Sequence, residues 1–159
     1  MLNSKERQAL IAELAAFPAQ LTEQVGALSD DTLNAKPIAG EWSVRQNVHH
    51  LADAHMNAII RLKLILTEDT PWLKRYDADG WADLMDVKTT PIDVSLNILH
   101  GVHERWVHIF ESLTDDQWAR TGTPREGRFL SAEEILSGYV QHGKNHMAQI
   151  QRNLDALDG

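Results

Sequence analysis

The sequence predicts an all-α protein, a four-helix bundle with short helical pieces in its connections, and three observations carry that prediction. Apolar residues recur every three or four positions along four long stretches, painting one helical face each time. Capping pairs head three of them: Asn3 with Glu6, Ser43 with Gln46, and Ser131 with Glu134. No strand-period run competes. Four amphipathic helices cannot bury their faces alone, so they imply a bundle.

The first stretch, about residues 4–28, carries Leu10, Leu14, Phe17, Leu21, Val25 and Leu28 on one face. Pro18 removes a backbone donor inside it and is expected to kink or divide the helix. Pro37 and Gly40 mark the connection that follows. The second stretch runs from Ser43 to about Leu66, with Val44, Val48, Leu51, His55, Ala58, Leu62 and Ile65 in its stripe. Over residues 68–90 the pattern lapses, leaving one short helical turn near residues 81–85. A segment of that length without a long element is expected to line a site. Thr90-Pro91 starts the third stretch, where a proline at the first helical position costs little. Its face is Ile92, Leu96, Leu99, Val102, Trp106, Phe110 and Leu113. Residues 114–129 read as a turn, a short helical piece with Trp118, and a Gly/Pro-containing loop. The fourth stretch ends near Leu154 and sets His142 and His146 into a stripe with Ile135, Tyr139, Ile150 and Leu154.

The length of 159 residues fits one domain spanning 1–159. Hydrophobic residues at 43% and charged residues at 24% exclude disorder and fibrous repeats. No unbroken apolar run exceeds four residues, so no membrane span is expected, and no secretory leader pattern opens the chain. These features point to a soluble, cytoplasmic protein. With 15 basic against 23 acidic residues and no basic cluster, nucleic acid is an unsuitable partner. The absence of cysteine excludes disulfides, thiolate metal sites and a cysteine nucleophile.

The eight histidines are the unusual feature. His142 and His146 are four apart, so both imidazoles leave one helical face and can share a metal ion. Such a pair also arises by chance, and two hydrogen-bonded histidines on a half-buried stripe is the plain alternative. Metalloproteases of the H-E-x-x-H type place a glutamate after the first histidine; here Gly143 stands there, which excludes that class. Gly143 itself costs about 1 kcal/mol of helix stability relative to alanine. Close approach of another backbone or of a ligand would justify it. A third ligand is available from the second stretch, where His49 and His50 differ by a rotation of about 100°. Spacing leaves the choice between them open. His55 lies on the apolar stripe and reads as a core or interface histidine. His100, His103 and His108 read as solvated or hydrogen-bonded.

The run EWSVRQNVHHLADAHMN at residues 41–57 resembles the YfiT-like branch of the DinB superfamily. So do RLKLILTEDTP at 61–71, Tyr76-Asp77 followed by Trp81, His103-Glu104-Arg105-Trp106, and QHGKNH at 141–146. The likeness spans about residues 10–151. It implies a four-helix bundle holding a divalent metal on three histidines, here His50, His142 and His146, and pairing as a homodimer. Two features depart from the family pattern. The first helix signal stands at Asn3 without the extra segment that relatives carry before it, which leaves the cover of the site open. The residue before His142, often aromatic in this branch, is Gln141.

Three neutral histidines leave a coordination position open, as in catalytic sites. Zinc is the first choice, and nickel, manganese or iron suit imidazole too. Two reactions follow. Metal-activated water would attack an ester or amide, a hydrolase. A metal-bound low-molecular-weight thiol would attack a small electrophile, as in relatives that transfer bacillithiol or mycothiol. The missing carboxylate beside the histidine pair favours the thiol, which needs no protein base. A metal-stabilised binding or structural protein without turnover is the rival. Asp53, one turn from His50, is expected to orient a ligand imidazole from behind. Arg45, Arg61, Tyr76 and Trp81 are expected to contact the small-molecule substrate, against the plainer reading of surface ion pairs and core aromatics.

Overall fold

A computed structural model describes residues 2–125 and 127–158. Helix α1 spans Ser4–Val25, capped by Asn3, whose side chain accepts from Glu6 N–H while Glu6 reaches back to the Asn3 N–H. The short α2, Asp30–Asn34, is capped by Ser29. Helix α3, Val44–Thr67, opens on a second reciprocal box between Ser43 and Gln46. Two short helices, α4 at Ala78–Ala82 and α5 at Met85–Thr89, occupy the following connection. Then come α6, Ile92–Ser112, and the one-turn α7, Asp115–Trp118. Strands β1, Thr121–Arg125, and β2, Arg128–Ser131, lead into α8, Ala132–Asp158.

Helices α1 and α3 each pack on both α6 and α8. The two helices that are neighbours in sequence therefore lie diagonally opposite each other, and α6 and α8 form the other diagonal. Long connections make those diagonal crossings possible. The core has two parts along the bundle. One gathers Leu14, Leu62, Ile65, Trp106, Phe110 and Leu136; the other gathers Phe17, Leu21, Val48, Leu51, Leu99 and Ile150. His55 and His103 sit between them, their rings on Phe17 of one part and Trp106 of the other. No helix among the described residues is long and apolar enough to cross a membrane.

The structure adds α2, which the sequence did not announce, and two short helices, α4 and α5, where one turn near residues 81–85 was expected. It departs further at Pro18 and at the segment before α8. Pro18 neither ends nor divides α1, which continues to Val25 with Pro18 buried inside it. A tertiary partner takes over the carbonyl that proline leaves without its helical donor, as described below. Strands β1 and β2 pair antiparallel, Thr121 with Ser131 and Gly122 with Leu130, instead of a plain loop. They are short, carry Gly122 and Pro124 and show no alternation, so nothing local announces them. Tertiary contacts hold them instead. Leu73 N–H donates to the Thr123 carbonyl at 2.9 Å and Thr123 N–H to that of Pro71 at 2.8 Å. A Cβ on Gly122 would stand 2.9 Å from the Leu73 side chain, so glycine permits that approach.

Gly143 has a similar reason. A Cβ there would lie 2.7 and 2.9 Å from two ring carbons of Phe17, so the close neighbour is an aromatic side chain of α1. Alanine would gain about 1 kcal/mol of helix propensity and lose about 1–3 kcal/mol by overpacking a buried ring. Gly143→Ala should therefore lower stability in urea unfolding by about 1 kcal/mol. Adding Phe17→Leu should show favourable coupling in a double-mutant cycle; strict additivity would mean that the ring yields without cost.

Candidate metal centre

Three histidines from two helices converge. His50 leaves α3, and His142 and His146 leave α8 one turn apart; one nitrogen of each lies within 4.8 Å of the other two. The Nε2 atoms of His50 and His142 are 3.3 Å apart. The indole of Trp42, just before the Ser43 cap, stacks on His146 and turns an edge to His50. His49 points elsewhere: Nδ1 meets Ser95 Oγ at 2.7 Å and Nε2 the Thr90 carbonyl at 3.1 Å. The geometry thus brings His50, not His49, to the α8 pair.

Hydrogen bonds set how the rings are turned. Asn47 donates from Nδ2 to the Ser43 carbonyl at 2.9 Å, which fixes which end of its amide faces the site. Its Oδ1 lies 2.8 Å from His146 Nδ1. An amide oxygen only accepts, so Nδ1 of His146 carries the proton and Nε2 keeps its lone pair. Asn47, fully buried, thus holds the orienting place that the sequence reading gave to Asp53. Among the described residues no hydrogen bond joins the Asp53 carboxyl to an imidazole. On the far side, His142 Nδ1 faces His55 Nε2 at 3.3 Å, and His55 Nδ1 faces His103 Nε2 at 2.7 Å.

Burial makes these imidazoles hard to charge. His50 is pushed down to about 4 by desolvation and then by the nearby His146 ring. His146 falls to about 4 by desolvation alone, and His142 to about 3 by desolvation, then His146 and His50. His55, fully buried, lies well below the usual histidine range for the same first reason. Neutral imidazoles are what a divalent ion requires.

The predicted substrate contacts divide. Arg45 is buried, and its guanidinium is spent on structure: Nε to Asn34 Oδ1 at 2.9 Å, Nη1 to the Thr90 carbonyl at 2.8 Å, Nη2 to Asp30 at 2.7 Å. It ties α2 and the start of α6 to α3, with each of its three nitrogens already engaged. Arg61, Tyr76 and Trp81 do come together. Arg61 lies over the Tyr76 ring at 6.0 Å, and the Tyr76 and Trp81 rings are 4.4 Å apart. Arg61 also donates to the Tyr139 hydroxyl at 3.3 Å, and the Tyr139 ring is 5.5 Å from that of His142. Tyr139 thereby links this cluster to the three histidines. Desolvation raises Tyr139 and pushes Tyr76 up to about 12, so both stay phenols. Asp53 is raised to about 6, first by desolvation and then by Asp86.

Asn47, Tyr139 and His103 escaped the sequence reading as members of this neighbourhood. Asn47 had a signal, because it stands three residues before His50 and so on the same side of α3. Tyr139 sat on an apolar stripe and carried none, and His103, read as solvated or hydrogen-bonded, is buried, its family-like HERW run being the one signal it had.

A helical bundle that gathers neutral imidazoles from two helices, with ring tautomers set from behind, defines a candidate metal-binding bundle. The chain belongs to the DinB superfamily, whose pattern matches residues 7–150. It is 39% identical over 150 residues to a Bacillus subtilis protein named "Putative metal-dependent hydrolase YfiT", covering 94% of this chain and 84% of that one. It is 37% identical over 153 residues to "Putative metal-dependent hydrolase BH0277" of Halalkalibacterium halodurans, covering 96% and 89%. The solved structure of Bacillus subtilis YfiT, described as "a probable metal-dependent hydrolase with an unusual four-helix bundle topology", superposes with a TM-score of 0.95 at 36% identity. That match covers 99% of this chain and 91% of the other.

The depressed histidines make stability depend on pH in a definite direction. Above about pH 6.5 both folded and unfolded chains hold these rings neutral, and the full stability is present. As pH falls toward 4 the unfolded chain takes up protons that folded His50, His103 and His146 refuse, so stability is lost. The slope is up to about 1.4 kcal/mol per pH unit for each ring. Asp53 acts oppositely, since its raised value favours the folded chain at low pH, but it is one group against several. Thermal melts of chelator-treated protein should therefore fall by about 5 °C or more from pH 7.5 to 5. A flat profile would show that the rings titrate near their ordinary value.

Proposed function

We propose that this chain is a metal-dependent enzyme in which His50, His142 and His146 hold one divalent ion and a low-molecular-weight thiol, of the bacillithiol type, is transferred onto a small electrophile. The observation that carries the metal is the convergence of the three imidazoles with their nitrogens within 4.8 Å of one another. Three neutral nitrogen donors suit Zn2+ first, and Ni2+, Mn2+ or Fe2+ accept the same set. When bound, such an ion supplies Lewis-acid activation of a thiol or of water near neutral pH.

The surroundings favour the thiol. Among the described residues, the hydrogen-bond partners of the three rings are Asn47, His55 and one another, with no carboxylate among them. A thiol needs no protein base, whereas attack by water gains from one. Asn47 turns His146 toward the centre, and Trp42 covers one side against water. Arg61, Tyr76 and Trp81 bind the acidic or polar parts of the thiol or its acceptor, with Tyr139 between them and His142. The acidic balance of the chain supports a small-molecule partner over nucleic acid. Family likeness supports a homodimer, and we place it in the cytoplasm.

The hydrolase reading has one structural observation on its side. Asp53 is half-buried, raised to about 6, and one turn from His50, so it could serve as a base near neutral pH.

Mass spectrometry of purified protein should find about one equivalent of metal, lost in His50→Ala and His142→Ala. Bacillithiol-dependent consumption of monochlorobimane should fall about 100-fold or more in His146→Ala. Arg61→Ala should raise KM for the thiol while changing kcat less. Ester hydrolysis that persists without thiol and is lost in Asp53→Asn would move the assignment to a hydrolase. Bound metal with neither activity would make the site structural.

A further inference from the structure

Pro18 has no N–H to give to the carbonyl four residues before it, so the Leu14 carbonyl lacks its helical partner. His103 Nδ1 lies 2.7 Å from that oxygen. A carbonyl only accepts, so Nδ1 of His103 carries the proton. His103 is 2% exposed and His55 0%, and the rings around them are Phe17, Trp106 and Tyr139. With no carboxylate against them, both are neutral, each with one donor and one acceptor nitrogen. Nε2 of His103 must then accept, and His55 Nδ1 at 2.7 Å must donate. That leaves His55 Nε2 as an acceptor, so His142 Nδ1 at 3.3 Å donates to it. The remaining nitrogen of His142, Nε2, keeps its lone pair, and it is the atom 3.3 Å from His50 Nε2. The order of protons along four partners follows from one end, the Leu14 carbonyl.

We infer that His55 and His103 are positioning residues for the metal centre: with the Leu14 carbonyl freed by Pro18, they fix His142 in the tautomer that presents Nε2. This rests on the three-histidine reading above. Phe17 supports the relay from the side, stacking on His103 at 5.3 Å and 24° and lying 5.3 Å from His55. Gly143 in turn makes room for Phe17. His103, which among the described residues makes no contact with the three-histidine cluster, thereby acts on it through the ring of His55.

Long-range 1H–15N correlation spectra of labelled wild-type protein read tautomers directly and need no variant. His103, His55 and His142 should all show the Nδ1–H form, both metal-free and with Zn2+. An Nε2–H form at His55 or His142 would overturn the inference. Zn2+ affinity, measured by competition with a chelator, should fall about 10- to 100-fold in His103→Leu. His103→Gln offers both a donor for the Leu14 carbonyl and an acceptor for His55, and should restore most of that loss. Unchanged affinity in a His103→Leu protein that still melts cooperatively would overturn the relay. His142→Ala separates the two readings. If it abolishes Zn2+ binding while His103→Leu does not, the metal site stands and the relay falls. If His142→Ala binds Zn2+ as wild type does, the three-histidine site itself falls and takes the relay with it.

Discussion

Neutrality of the buried imidazoles is the constraint on which the rest of this structure depends. His50, His55 and His103 are all buried, and among the described residues their surroundings hold aromatic rings rather than carboxylates. A neutral imidazole offers one donor and one acceptor, so a row of them cannot be arranged ring by ring. Each choice fixes the next. Groups that only accept, the Leu14 carbonyl and Asn47 Oδ1, stand at the ends of the row and decide the direction. His142 and His146 are then left with lone pairs on Nε2, which is the electrostatic requirement of a cation site.

Two residues that look unfavourable to helices serve this arrangement. Proline inside a helix typically costs about 3 kcal/mol, yet at position 18 it frees the carbonyl that His103 uses. Glycine inside a helix costs about 1 kcal/mol, yet at position 143 it lets Phe17 reach the histidine rings. Both costs are met by the burial of large side chains on either side, such as Leu14, Leu21, Trp106 and Ile150. The diagonal placement of α1 and α3 matters for the same reason. It sets the α1 carbonyl and the α3 histidines on opposite sides of the space that α6 and α8 close, so a chain of rings can span the bundle.

The connections carry the site's outer features. Residues 68–90 were expected to line a site, and they contribute Tyr76 and Trp81 beside Arg61 of α3. Arg45, two residues before Asn47, does something quite different with the same chemistry, joining α2 and the α6 entrance to α3. An arginine's sequence position does not reveal whether its donors are free. The backbone carbonyl of Thr90 and the carboxylate of Asp30, brought in from other segments, engage Arg45 in ways its sequence position does not show.

The sequence alone determined the four long helices, because their apolar period and caps are local properties: Asn3 with Glu6 and Ser43 with Gln46 close as reciprocal boxes. It also placed His142 and His146 on one face, since a spacing of four is enough for that. Residue periodicity could not choose between His49 and His50; family likeness named His50, and the packing of α3 against α6 physically turns His49 away to Ser95. The tertiary structure alone decided the pairing of β1 and β2, whose first strand is held by Pro71 and Leu73. It alone decided the roles of His55, His103, Asn47 and Gly143 as well. Each depends on a partner dozens of residues away, and a hydrogen bond or a ring contact across that distance leaves no periodic trace in the chain.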